Sequence, residues 1–290
     1  ESVAEDPLCC FYIADLTRLI TPALSDLERI LRVVRTRGLP VTALKVFSYG
    51  RVLDHLPLSD LVTFTERLLE YGRPGAWTAL EIIFMYMHGD SARWQACRAQ
   101  LRQLLMHPNL HFTDSLKTMD LHHWKEIGSK LLTEATDEEL AHELLTKILA
   151  ACATDHSYVE LDYAFRPILQ LLLEQYRDTV WPAMSDALLS DDHRTAFNLG
   201  GLLGSRFQER RKPNLLLTLP DELLVAWCET YPTQAPVLLD RMIPLLRYEG
   251  EQWRWSPLAR MLIDRYGGQE DVLSEMTANL GTFSWSGSAV

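Results

Sequence analysis

The chain of 290 residues is poor in the features that usually reveal where a protein works. Its five cysteines, at positions 9, 10, 97, 152 and 228, are odd in number and irregular in spacing. They argue against a disulfide framework and favour a reducing cytoplasm. No uncharged apolar run approaches the roughly 20 residues that cross a bilayer, so no membrane segment is expected. The first residues carry neither the basic nor the apolar region of a signal peptide.

Positive charge is also scarce. The chain has 28 Lys and Arg residues against 39 Asp and Glu residues, which gives a formal net charge of −11. Nonspecific binding to nucleic acid or to an anionic membrane needs a basic field. The charge balance therefore disfavours a nucleic-acid partner and predicts no membrane partner.

Motifs that carry chemistry are missing too. No His-Glu-x-x-His or Cys-x-x-Cys spacing occurs, and the one glycine-rich stretch, 198–205, lacks the lysine of a phosphate loop. Gly200 and Gly204 are four residues apart, a spacing that predicts a close crossing of two helices. We therefore predict no catalytic residue, no cofactor and no metal site.

What the sequence does contain is a unit that returns along its length. A polar residue or a proline precedes a short leucine-rich amphipathic run, and a glycine or proline then ends that run. Examples begin in the stretches 56–61, 136–140, 219–223 and 256–258. Capping residues before apolar positions spaced three and four apart are the usual start of a helix.

The periodicity of the apolar residues indicates an all-α protein. Leu27, Leu31 and Val34 lie on one helical stripe, whereas the run 77–87 is apolar on nearly every side and predicts a helix buried between neighbours. Alternating runs bounded by Asn-Gly or Asp-Gly are missing, so β-hairpins are not expected. Trp181-Pro182 is expected to break or kink a helix.

Helix starts recur at intervals that give helix pairs of about 35–45 residues. This pattern resembles irregular HEAT-like α-solenoids. The resemblance implies a right-handed superhelix of antiparallel helix pairs. We expect a single helical-repeat domain over residues 1–290, with a joint near 210–214. Both ends appear cut, which predicts a fragment of a larger protein.

Two groups of residues are candidates for binding. The first is the basic cluster, and the second combines tryptophan with arginine, a composition favoured at interaction hot spots. The candidates are Arg206, Arg210, Arg211, Lys212, Trp253, Arg254 and Trp255.

These patterns support one leading hypothesis and two alternatives. The leading one is a non-catalytic interaction, scaffold or sensor module of a larger intracellular, bacterial protein, with a protein partner or the rest of its parent chain as ligand. The second is an all-α enzyme whose site gathers dispersed acids and histidines, namely Asp120, His122, His123, Asp191 and His193. The third is a nucleic-acid-binding helical array that uses the basic segment 206–212.

Overall fold

The structure is a computed structural model that describes residues 19, 21–112, 118–134, 136–154, 158–204, 214–243, 246–249, 252–272 and 274. The chain divides into two compact units, residues 1–147 and residues 148–290. We call them unit 1 and unit 2. The predicted joint near 210–214 falls, apart from Asn214, outside the described residues.

Unit 1 is helical throughout its described part. Its elements are α1 (Leu24–Arg37), the 3-10 helix η1 (Val41–Ser48), α2 (Leu58–Leu69), α3 (Gly72–Met87), α4 (Ser91–Met106), α5 (Thr118–Glu134) and the beginning of α6 (Glu138–Cys152). The boundary between the two units falls inside α6.

Unit 2 continues with helices and one short hairpin. Its elements are α7 (Tyr158–Gln175), α8 (Arg177–Leu188), α9 (His193–Leu203), the 3-10 helix η2 (Leu215–Thr218), α10 (Asp221–Thr230), α11 (Ala235–Met242), β1 (Leu246–Glu249), β2 (Gln252–Trp255) and α12 (Pro257–Tyr266). None of the described helices is long and apolar enough to cross a membrane.

The predicted helical character is confirmed, and the apolar stripes explain where each helix is buried. In α1 the side chains of Leu27, Leu31 and Val34 are buried, and Gly38 ends the helix in the left-handed conformation at φ 64°. The cysteines at 97, 152 and 228 are buried core residues, as their apolar surroundings predict.

Helix α3 is buried on almost every side, as its sequence predicts. Ile82 and Ile83 point in different directions along the helix, yet they are only 1% and 0% exposed. The preceding helix approaches α3 closely at Gly75, where a Cβ atom would lie 1.9 Å from the main-chain oxygen of Leu68. Only glycine fits there without moving the backbone of α2.

Contacts between elements follow two rows in unit 1. Helix α2 contacts both α1 and α4, and these three helices form what we call the first row. Helix α3 contacts both η1 and α5, which together form the second row. Elements of the two rows alternate along the chain.

Unit 2 shows the same alternation. Helix α9 contacts both α7 and α11, and these three form the second row of this unit. The intervening helices α8 and α10 form its first row, where the rings of Trp181 and Trp227 meet at 5.6 Å. Each unit therefore contains two alternating sets of helices.

The expectation that hairpins are absent is wrong at one place. Strands β1 and β2 pair antiparallel, with Leu246 opposite Trp255 and Tyr248 opposite Trp253. The strands have only four residues each, which is too short for an alternating pattern to stand out. Their Tyr and Trp residues have high β-propensity, and this composition is the feature of the sequence that indicates strands here.

Several predicted helix boundaries also need correction. The chain does not break at Trp181-Pro182, because Pro182 lies inside α8, which begins after Tyr176; a kink there stays a prediction. Asp137, not Thr136, caps α6, because its carboxylate accepts a hydrogen bond from the main-chain N–H of Leu140 at 3.0 Å. Either residue can cap a helix, so sequence alone does not choose between them.

Candidate functional site

A buried charged cluster joins the three second-row elements of unit 1. Lys45 extends from η1, Glu81 from α3 and Asp120 from α5. The Lys45 Nζ lies 2.7 Å from Glu81 Oε2 and also forms an ion pair with Asp120 Oδ1. Glu81 and Asp120 are only 3% and 8% exposed. Buried charges persist only when they are paired, and here one ammonium serves two carboxylates.

The pairing keeps Lys45 protonated. Burial opposes the charged ammonium, but hydrogen bonds to Asp120 and Glu81 outweigh this effect and raise the pKa of Lys45. One ammonium against two carboxylates leaves the cluster with an excess of negative charge. This excess is held in a poorly hydrated place, where charges interact more strongly than in water.

Tyr49 is an exposed side chain at the edge of the cluster. Its hydroxyl donates a hydrogen bond to Glu81, whose negative charge raises the pKa of Tyr49. The Tyr49 residue is nevertheless 52% exposed. A half-exposed aromatic ring therefore lies beside the charged groups.

Histidine rings gather next to the cluster around Phe84. The ring of His123 lies 4.5 Å from that of Phe84, and the rings of His88 and His122 lie 5.4 Å and 6.2 Å from it. His123 is 3% exposed, and its Nδ1 has no hydrogen-bond partner among the described residues.

His123 is neutral at physiological pH. Burial is the main cause, and it lowers the pKa of His123 to about 4. Electrostatic interactions with His122, Lys45 and His88 lower the pKa of His123 further, whereas Asp120 opposes them. A neutral imidazole is therefore enclosed beside a protonated lysine.

This arrangement suits the binding of positive charge better than proton transfer. A nucleophilic lysine must lose its proton, whereas Lys45 is held in the charged form. A general base must reach its substrate, whereas Glu81 and His123 are both buried. Tyr49 is the exposed side chain of the cluster.

The structure brings together only part of the residue set predicted for an enzyme. Asp120, His122 and His123 lie in unit 1 beside Lys45, whereas Asp191 and His193 are exposed residues of unit 2.

An acidic residue before α9 starts that helix. The Asp192 carboxylate accepts hydrogen bonds from the main-chain N–H groups of Arg194 and Thr195 at 3.1 Å and 3.4 Å. A hydrogen bond from the Thr195 hydroxyl, together with these main-chain bonds, holds the pKa of Asp192 below its usual value. This segment is a capped helix start.

The predicted binding residues fall largely outside the described part of the chain. The basic cluster of Arg206, Arg210, Arg211 and Lys212 lies there entirely. The backbone of Trp253, Arg254 and Trp255 forms β2, but their side chains are outside the described part. Binding through either group stays a prediction.

Sequence analysis missed Lys45, Glu81 and Tyr49. Lys45 and Asp120 are 75 residues apart, so no local spacing links them. A signal was present in α3, because Glu81 is the one charged residue in the apolar run 77–87. A charge inside an otherwise buried helix requires a partner. Glu81 therefore predicts a buried cation beside α3, although the sequence does not say which one.

Two further findings bear on the site. Among the described residues, no group of three or more His, Cys, Asp or Glu side chains is placed to hold a metal ion. No protein-family model, no curated protein and no solved structure matches the chain. The function is therefore argued from the geometry of the chain itself.

Proposed function

We propose that this chain is a non-catalytic helical-repeat module that binds a protein partner along its second-row helices. The proposal includes a HEAT-like α-solenoid, in which successive helix pairs stack on one another. Three observations support it: a constant sequence offset between linked helix ends, the two rows of helices, and exposed apolar side chains on one row.

The observation that carries the proposal is a group of three side-chain to main-chain hydrogen bonds in unit 1 that span the same number of residues, while other long-range bonds of this kind in this unit span 30 to 39 residues. In a stacked array each repeat contacts only its neighbours, so linked positions lie one repeat apart. The bonds run from Tyr71 Oη to Leu31 O at 2.7 Å, from Asn109 Nδ2 to Leu69 O at 3.2 Å and from Lys147 Nζ to His107 O at 3.2 Å, and each spans 40 residues.

Similar offsets link helices in unit 2. Arg166 Nη1 donates to Leu202 O at 2.8 Å over 36 residues, and Asn198 Nδ2 donates to Cys152 O at 2.8 Å over 46 residues. Helix pairs of roughly 40–47 residues are typical of HEAT-like repeats. The side chains differ from repeat to repeat, which explains why the sequence units do not align residue by residue.

Exposed apolar side chains favour the second row as the binding surface. Protein interfaces are enriched in aromatic residues and methionine. In unit 1 this row exposes Met119 on α5, with Tyr49 directly after η1, and in unit 2 it exposes Tyr163 on α7 and Phe197 on α9. Their exposed fractions are 52% for Tyr49, 56% for Met119, 41% for Tyr163 and 61% for Phe197.

The proposal is tested by selecting a random linear-peptide library against the folded chain. We expect peptides that bind the second row of one unit or of the other. Peptides bound by unit 1 should lose binding in Met119→Glu and peptides bound by unit 2 in Phe197→Glu, because each variant places a charge on the second row of its own unit. The matched control is Gln103→Glu, which adds the same charge at an exposed position of first-row helix α4.

Each outcome of this selection has a definite meaning. Peptides that bind the Gln103→Glu chain but fail to bind one of the second-row variants support the proposal. Peptides that bind all the variants equally well overturn the second-row surface. A labelled DNA duplex provides a separate arm. Saturable binding of the duplex that disappears in the double variant Arg210→Glu, Arg211→Glu would favour the nucleic-acid array instead.

A further inference from the structure

We infer that the exposed side of α1 binds an acidic segment of a partner protein through Arg29 and Arg32. We call the surface formed by Ser25, Arg29, Arg32 and Thr36 the α1 basic face. Helix α1 belongs to the first row of unit 1, whereas the proposed function concerns the second row. The inference therefore goes beyond that function and does not depend on it.

The periodicity of α1 places these four residues together. Successive residues of an α-helix are rotated by about 100°, so positions 25, 29, 32 and 36 lie on one side, opposite the buried stripe of the helix. All four residues are exposed. Because residues three apart are neighbours on a helix surface, the guanidinium groups of Arg29 and Arg32 lie side by side in solvent.

Neither of these two guanidinium groups has a counterion. In the part of the chain that the structure describes, neither Arg29 nor Arg32 forms a side-chain hydrogen bond or an ion pair. Glu28 precedes Arg32 by four residues, a spacing that favours an ion pair, yet no such pair forms between them. The other acid of α1, Asp26, accepts a hydrogen bond from the main-chain N–H of Ala23 at 3.1 Å.

The helix itself gains nothing from this pair of charges. Two like charges three residues apart weaken a helix. Cations stabilise a helix in its last turn, which accounts for Arg35 and Arg37 but not for Arg29 and Arg32. A local choice that opposes the stability of its own element is expected where a residue serves binding.

Charge complementarity identifies the partner as a short acidic segment. Guanidinium groups bind carboxylates through two parallel hydrogen bonds, and two neighbouring arginines can hold two carboxylates of one segment. A long polyanion such as nucleic acid would also meet the field of the whole chain, whose formal net charge is −11. A short segment pairs locally, because salt screens charges beyond about 8 Å under physiological conditions.

The inference is tested by fluorescence anisotropy of a labelled octa-glutamate peptide with the full chain at about 150 mM salt. We expect saturable binding that becomes about fivefold weaker in the double variant Arg29→Gln, Arg32→Gln, because each exposed ion pair contributes modestly. The matched control is Arg260→Gln, Arg265→Gln, which removes two exposed arginines from α12 in unit 2. The control should bind the peptide as the unchanged chain does.

Two further measurements separate binding from folding. Glutamine is a good helix former, and its introduction removes the repulsion, so the α1 variant should unfold at the same temperature as the unchanged chain or slightly above it. On a chain with nitrogen-15-labelled arginine, the Nε–H signals of Arg29 and Arg32 should shift with the peptide. The two single variants assign these signals.

Three results would overturn the inference. The first is equal weakening of binding by the α1 and α12 double variants, which would mean diffuse attraction. The second is an unchanged position of both Nε–H signals at saturating peptide. The third is tighter binding of a labelled DNA duplex that the α1 double variant abolishes, which would assign the α1 basic face to nucleic acid.

Discussion

At the scale of single residues, unit 1 holds ionisable side chains in one protonation state by enclosing them. Lys45 remains charged because two carboxylates face it, whereas His123 remains neutral because burial and neighbouring positive charges oppose its protonation. The two side chains belong to the same contact between second-row elements. The stability of this contact must therefore depend on pH.

Acidification should destabilise the chain through His123. The pKa of His123 is about 4 in the folded chain and 6.5 when unperturbed. Above 6.5 the ring is neutral in both states and contributes nothing. As the pH falls from 6.5 to about 4, only the unfolded chain takes up the proton, which lowers the free energy of unfolding by up to about 3 kcal/mol. Urea unfolding at a series of pH values measures this loss.

The control for this prediction is a second histidine of unit 1. His123→Phe keeps an aromatic ring beside Phe84 and should flatten the pH dependence between pH 6.5 and about 4. His142→Gln changes an exposed residue of α6 and should leave the dependence as it is. An unchanged slope in His123→Phe would show that other groups cause the acid response.

Sequence analysis could find some residues of the site but not the site itself. Asp120, His122 and His123 lie within four consecutive residues and are part of the set predicted for an enzyme. Their actual partners, Lys45 and Glu81, come from η1 and α3, and long-range packing alone brings them together. The cluster is therefore formed by tertiary contacts, which the spacing of residues in the sequence does not predict.

At the scale of helices, small residues allow two elements of unit 2 to approach closely. The spacing of Gly200 and Gly204 predicted a close crossing, and the structure confirms it between α9 and the end of α11. A Cβ atom on Gly204 would lie 2.8 Å from the main-chain oxygen of Met242, whereas one on Gly200 would meet only the flexible Sδ of Met242, at 3.4 Å. The two glycines therefore differ in importance.

Gly204→Ala should be clearly more destabilising than Gly200→Ala. At Gly204 the backbone of α11 must move, at a cost of about 1–3 kcal/mol. At Gly200 the Met242 side chain can yield, and alanine favours a helix interior by up to about 1 kcal/mol, so the net change should be small. Thermal unfolding compares the variants, with Gly268→Ala as a control in open space. Equal losses at both glycines would contradict this account of the crossing.

The elements themselves were largely predictable, and the exceptions have physical reasons. Capping residues and apolar periodicity identify helices such as α1, α3 and α6, since both signals arise within a few residues. The sequence pattern does not predict the hairpin of β1 and β2, because its strands are short and depend on pairing with each other. Helix ends shifted by one or two residues where neighbouring polar side chains compete to cap the same N–H groups.

At the scale of the whole molecule, the proposed solenoid implies that stability is local. In a stacked array each helix pair is held by its neighbours alone, so a perturbation fades with distance along the chain. A chain with one cooperative core would transmit the same perturbation everywhere. The offset of 40 residues between linked positions in unit 1 supports the first behaviour.

Amide hydrogen exchange on two glycine variants should separate these behaviours. Gly204→Ala strains the contact between α9 and α11, so exchange should accelerate in α7, α9 and α11 while α2 and α3 keep their protection. Gly75→Ala strains α2 against α3 and should produce the reciprocal pattern. Each variant thus serves as the control for the other, because both replace glycine with alanine at a close backbone approach. Acceleration of equal size in both units, from either variant, would contradict the stacked array and with it the second-row surface on which the proposed binding depends.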